Sequence, residues 1–298
     1  MSAVWRSQPE RGSATAMALM TWLTLRLGRA ATRWLLPFIC LYYYAAAPAA
    51  RRASRAFLAR ALGREPGAAD VLRHQLSFAA TLHDRLLLAS GGNAPLELEV
   101  SGAAEIERLL GRGRGCILVG SHLGSFEILR ALGRSRGKPV NVLMHEANAE
   151  KAKTLFARLA PELERRVLAA GRPETMLRIK ECLERGEIVG ILGDRALGRD
   201  RTQRCAFFGA PALFPTGPWL LAAALGAPVA LFFGLYRGGA RYEVIFETLT
   251  EGEGVPREAR QGVAAGWLAR YVARLEHHAR RAPYNWFNFY DFWDASAA

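Results

Sequence analysis

Three short apolar runs constrain this chain most: CILVG at 116–120, IVGIL at 188–192 and PVALFFGL at 228–235. Each is of strand length, and the first has the unbroken apolar character of a strand buried on both faces. Further strands are expected at 96–100, 139–144 and 241–246. Helical patterns are interleaved at 103–110, from about Ser125 onward, at 149–159, 175–184, 218–225 and 255–278. The alternation predicts an α/β domain with a central, mostly parallel mixed sheet flanked by helices. Nothing in the chain repeats, and 298 residues with 51% hydrophobic content suffice for a large core.

The N-terminal region has a different character. Residues 34–50, WLLPFICLYYYAAAPAA, carry no charge, and the clusters Arg26, Arg29, Arg33 and Arg51, Arg52, Arg55 flank them. About 20 apolar residues are needed to cross the hydrocarbon, and Pro37 and Pro48 interrupt the run, so an interfacial or partly inserted helix is favoured over a full crossing. A buried helix of the globular part is the alternative. Residues 1–60 are therefore expected to be a membrane-associated helical segment attached to a catalytic domain at 61–298. The positive-inside tendency sets the basic clusters toward the cytoplasm.

Charge points the same way. Forty Lys and Arg against 27 Asp and Glu give a formal charge of +13, which favours an anionic partner. Arginines beside apolar segments fit an anionic membrane surface better than a nucleic-acid groove. The cysteines Cys40, Cys116, Cys182 and Cys205 are far apart and show no ligand spacing, so neither a metal site nor a disulfide scaffold is expected. In the helix expected at 70–89, Leu72, Leu76, Ala79, Leu82 and Leu86 recur at helical spacing, and His74 and His83 read as surface or substrate-facing residues.

The chemistry concentrates in GSHLGSFEILR at 120–130. His122 and Glu127 stand where a strand gives way to a helix, on the edge where open α/β sheets bind ligands. A neutral imidazole can take a proton from a hydroxyl as it attacks a thioester, and a carboxylate can hold the opposite ring nitrogen. By spacing alone the pair is equally compatible with a solvent-facing pair. Gly120 and Gly124 leave room for substrate near the backbone. Asp194 follows another apolar strand directly and is aimed at the same sheet edge, with an N-cap or turn as its alternative.

These residues lie within GSHLGSFE at 120–127, GILGDRALGR at 190–199, FFGAPALFPTGPWLLAAALGAPV at 207–229 and PYNWFNFYDFW at 283–293. With the basic, apolar N-terminus, they make the chain resemble the bacterial lipid A biosynthesis acyltransferases, lauroyl and myristoyl transferases that share the glycerolipid-acyltransferase signature of a histidine and an acid separated by four residues. The resemblance implies a glycerolipid-acyltransferase-like fold, His122 as general base and Glu127 as its partner. It implies Ser125, Asp194, Arg195, Arg199, Phe208, Gly209, Thr216 and Gly217 as substrate-binding positions. Donor substrates would be thioesters of acyl carrier protein or coenzyme A, with no bound cofactor and no metal. The acceptor would be a hydroxyl of a lipid A precursor or related membrane lipid, and the location the cell inner membrane, with the catalytic domain on the cytoplasmic side.

Two departures bear on the acceptor. VLMHEAN at 142–148 carries His145 and Glu146 where lipid A enzymes often have a basic residue, and the C-terminal region lacks their basic run. An ornithine-type lipid or a polyketide pigment is an alternative acceptor. The dense C-terminal rings, Trp286 and Phe289 among them, read as a possible acyl site. A basic nucleic-acid-binding protein is the reading from another class, but no recognition-helix or zinc pattern accompanies the arginines, so no nucleic-acid partner is expected. A serine hydrolase would need a GxSxG elbow that GSHLG lacks.

Overall fold

A computed structural model of the chain describes residues 14–89, 96–135, 137–145, 166–171, 173–196 and 200–293. The helix expected at 149–159 and Arg199 lie outside them. Four helices come first: α1 (Ala14–Arg33), α2 (Leu36–Ala46), α3 (Pro48–Leu62) and α4 (Ala68–Ala89). Pro37 falls in the first turn of α2 and Pro48 opens α3, positions where the missing N–H interrupts no helical bond. The apolar run at 34–50 is thereby divided between two helices that meet at Ala47, and the second continues into the arginine-bearing sequence ARRASRAFLARAL.

Among the described residues no helix is long and apolar enough to cross a membrane. This overturns the expected inner-membrane placement, for which that run between basic clusters was the candidate membrane segment. Leu36 and Cys40 turn into the protein, whereas Trp34, Phe38 and Tyr42 project outward at helical spacing, Trp34 with 79% of its surface exposed.

Helix α4 corrects the expected apolar stripe. Its buried face carries Val71, His74, Ala80, His83, Asp84 and Leu87, while Leu76 is exposed. Polar groups tolerate that burial because each finds partners. His74 lies between the Ser54 hydroxyl at 2.8 Å and the Trp286 carbonyl at 2.9 Å. His83 Nε2 meets the hydroxyls of Thr24 and Thr32. Asp84 accepts from Arg29, Arg33 and the Tyr242 hydroxyl, each at 2.7 Å. Two of the arginines expected to face lipid are thus held by a buried carboxylate.

The sheet has seven strands: β1 (Glu97–Ser101), β2 (Cys116–Gly120), β3 (Val140–His145), β4 (Val167–Ala170), β5 (Ile188–Leu192), β8 (Val229–Tyr236) and β9 (Arg241–Thr250), in the order β1-β9-β8-β2-β5-β3-β4. Strands β8, β2, β5, β3 and β4 run parallel, β9 is antiparallel to β8, and β1 is parallel to β9. A separate hairpin pairs β6 (Thr202–Phe207) with β7 (Ala210–Pro215). The flanking helices are α5 (Ala103–Leu110), α6 (Glu127–Ser135), α7 (Pro173–Glu184), α8 (Gly217–Leu225) and α9 (Arg260–Arg281). The mixed α/β architecture agrees with the sequence pattern.

Strand β2 is apolar throughout because both its faces are covered. Ile117 and Val119 join the core containing Trp219, Leu268 and Tyr271 from α8 and α9, and Cys116 and Leu118 join the core containing Leu109 and Ile128 from α5 and α6. Burying each large aliphatic side chain contributes roughly 1.5–3 kcal/mol. Phe57, Leu58 and Ala61 of α3 belong to the first core, so α3 packs directly on the sheet domain.

Candidate active site

Strands β2 and β5 are adjacent, parallel and in register, with Gly120 opposite Leu192. Each strand ends two residues before a polar side chain, His122 in one case and Asp194 in the other. In-register neighbours carried two residues past the sheet edge arrive side by side. The outcome is a bond of 2.8 Å between His122 Nδ1 and Asp194 Oδ1. The His122 backbone N–H also donates to Asp194 Oδ2, at 3.0 Å, fixing the loop and the ring to one carboxylate.

Asp194 is completely buried. Burial by itself would raise its pKa, but the facing His122 ring, Arg195 and the donated N–H groups outweigh that and hold the carboxyl down at about 2. Because the carboxylate is ionised and accepts only, Nδ1 carries the proton and Nε2 keeps its lone pair. The His122 pKa is lowered, by burial first and by the Arg195 charge second, against an opposing contribution from Asp194. The ring is therefore neutral at pH 7 and able to accept a proton.

Glu127 opens α6, five residues after His122, and its carboxylate is held elsewhere. Oε1 lies 3.2 Å from Arg85 Nε, and Oε2 accepts from Arg130 Nη1 at 3.3 Å. The carboxylate on the Nδ1 of His122 is Asp194, not the Glu127 that the resemblance implied, because one helical turn brings Arg130 to Glu127 while the sheet register brings Asp194 to His122. Gly120 and Gly124 also serve the protein's own packing. A Cβ on Gly120 would stand 3.0 Å from the Phe126 ring, and one on Gly124, at φ +75°, would stand 2.0 Å from the Gly234 carbonyl oxygen.

The His122 ring borders a cavity of about 860 Å³. Aliphatic side chains of β3, α7, β5 and α8 line much of it, among them Val142, Met144, Ile179, Ile191, Leu220 and Leu221. Ser125, Glu127, Arg195, Thr216, Gly217 and Phe289 also reach it. Sequence reasoning missed Arg85, Arg130 and Phe78, which share that wall. The signal for Arg130 was its place one turn after Glu127.

Other expected site residues lie off the cavity wall. Phe208 and Gly209 form the two-residue turn of the β6–β7 hairpin, with φ of 51° and 76°, the conformation of a type I′ turn. Phe208 packs against Phe57 and beneath the Arg280 guanidinium. Trp286 is buried, and its indole N–H donates to Asp194 Oδ2 at 3.1 Å. Arg195 borders the cavity while its guanidinium donates to the Asn288 side chain and the Phe287 carbonyl. Among the described residues no group of His, Cys, Asp or Glu is arranged to hold a metal ion, and the four cysteines are free thiols.

A histidine held by a buried acid beside an aliphatic cavity suits proton transfer to or from an apolar substrate's polar end. The family profile described as bacterial lipid A biosynthesis acyltransferase matches residues 91–293. The chain belongs to this family. The match takes in the whole sheet, both members of the His122–Asp194 pair and the C-terminal aromatic segment. No curated protein matches the chain by sequence. As a member of the lipid A acyltransferase family, the chain is tied to acyl-transfer chemistry and lipid biosynthesis.

Proposed function

We propose that the protein transfers a long fatty acyl group from a thioester of acyl carrier protein or coenzyme A to a hydroxyl of a lipid A precursor or a related membrane lipid. The observation that carries this reading is the neutral, acid-oriented His122 ring at an aliphatic cavity. His122 Nε2 takes the proton of the acceptor hydroxyl as its oxygen attacks the thioester carbonyl carbon. The tetrahedral adduct collapses with cleavage of the carbon–sulfur bond, and the departing thiolate receives the proton from Nε2. Asp194 keeps the ring in the required tautomer and offsets the positive charge formed on it.

The aliphatic wall supports a long acyl chain in the donor, since each buried methylene contributes roughly 0.8 kcal/mol. Arg85, Arg130, Arg195 and Arg201 on the same wall support an anionic group on the acceptor or on the carrier's prosthetic arm. Residues 61–298 would supply the catalytic unit, with the helices described from residue 14 onward docked on it.

The test is acyl transfer by purified wild type and His122→Ala, with both donor classes offered to a bacterial lipid extract and the product identified by mass spectrometry. The expected loss in the variant is at least about a hundredfold. Wild-type turnover by a folded His122→Ala protein would refute the base assignment.

A further inference from the structure

Asp194 can orient His122 only if the carboxylate is itself prevented from turning. Its Oδ1 faces the ring, and Oδ2 is occupied by the His122 backbone N–H, by the Trp286 indole N–H at 3.1 Å and by the Asn288 side-chain amide at 3.4 Å. The last two come from the C-terminal segment, some ninety residues away in sequence. That segment also holds the loop bearing His122. The Phe287 N–H donates to the His122 carbonyl at 2.9 Å, the Gly124 N–H donates to the Asn285 carbonyl at 2.8 Å, and Leu123 and Trp286 form an antiparallel bridge.

The segment is in turn fixed from behind. His74 of α4 meets the Trp286 carbonyl, and the indole packs against Phe57, Phe207 and Phe292. The amide of Asn288 is oriented by Arg195, whose Nε donates to Oδ1 and leaves Nδ2 directed at Asp194.

We infer that Trp286 and Asn288 are positioning residues of the reaction, acting through Asp194 to hold the His122 ring in its productive orientation. The C-terminal rings then have a role beyond lining an acyl site: they complete the acid–histidine pair. The inference rests on the acyl-transfer reading for its kinetic readout, but the geometry it asserts can be read without substrate.

The experiment compares Trp286→Phe, Asn288→Ala and Trp293→Phe with wild type. Trp293 belongs to the same ring cluster, but its indole N–H donates to the Phe207 carbonyl and not to Asp194, so it controls for loss of an indole alone. The first readout is the downfield proton NMR signal of the His122 Nδ1–H, assigned by its disappearance in His122→Ala. The second is kcat and KM for acyl transfer.

Trp286→Phe and Asn288→Ala are expected to shift or abolish the signal and lower kcat by about tenfold or more with KM changed by less than about twofold, as for loss of a hydrogen bond to a charged group. Trp293→Phe is expected to keep both at wild-type values. A wild-type signal and kcat in folded Trp286→Phe overturn the inference, as do equal losses in Trp293→Phe. Should Trp286→Phe not fold, Asn288→Ala decides by the same criteria. Failure of wild type to transfer any acyl group would sink the acyl-transfer reading alone, since the proton signal still judges the clamp.

Discussion

Glu127 and Arg130 face each other across one turn of α6, with Oε2 and Nη1 3.3 Å apart and both side chains almost fully buried. Arg85 of α4 closes on the other carboxylate oxygen at 3.2 Å. Glu127 therefore joins two guanidinium groups on the cavity wall. Glu127→Gln removes the charge that offsets Arg130, and it is expected to lower stability by on the order of 1–2 kcal/mol, read by urea denaturation. Its loss of kcat should be smaller than that of Asp194→Asn. Equal kinetic losses with no loss of stability would return Glu127 to the role of orienting acid.

The second prediction concerns pH. The His122 pKa lies below its ordinary value of about 6.5, so kcat/KM should rise with pH along a limb whose midpoint lies below that value, and then level off. Asp194 pulls that pKa upward, and removing its charge in Asp194→Asn should move the acid limb to still lower pH while reducing the plateau by at least about a hundredfold. An unshifted limb in the variant would show that Asp194 is not coupled to the titrating group.

Asp84 supplies a test of how the N-terminal helices are held. It is fully buried beneath Arg29, Arg33 and the Tyr242 hydroxyl, and Asp84→Ala leaves two guanidinium groups without their carboxylate, holding only the Gly239 carbonyl and, for Arg33, the Tyr236 hydroxyl. A loss of roughly 3–5 kcal/mol is expected, as for breaking a buried ion pair from one side. Hydrogen exchange should show α1 loosened first, because both arginines are on it.

His74 makes acid stability testable. Burial pushes its pKa down to about 4, against an ordinary value of about 6.5, so the unfolded chain binds a proton there more readily than the folded one. Its contribution to stability is present above pH 6.5 and is lost as the pH falls through that window toward 4. His74→Gln should be less stable than wild type at pH 7 and show a shallower decline between pH 6.5 and 4, measured by thermal or urea unfolding. An unchanged slope would remove His74 from the account.

The local pattern of the chain was enough for the strand-and-helix order and for the sheet edge that carries chemistry. Unbroken apolar runs such as CILVG can be satisfied only between two covering layers, and a histidine two residues after one is delivered to the carboxyl edge. The motifs around His122, Asp194, Phe208 and Trp286 sufficed for the family. What the pattern could not carry was pairing at a distance. The resemblance made Glu127 the expected partner of His122, but register between β2 and β5 brings Asp194 there from 72 residues away. The apolar run at 34–50 suggested lipid burial, yet two prolines and a turn at Ala47 place it in separate helices. Helix α4 shows the same limit: hydrophobic spacing selected one face, and tertiary partners for His74, His83 and Asp84 made the polar one bury. Apolar burial follows from composition and period, which are local in sequence, whereas a buried charge is tolerated only where folding has already assembled its donors.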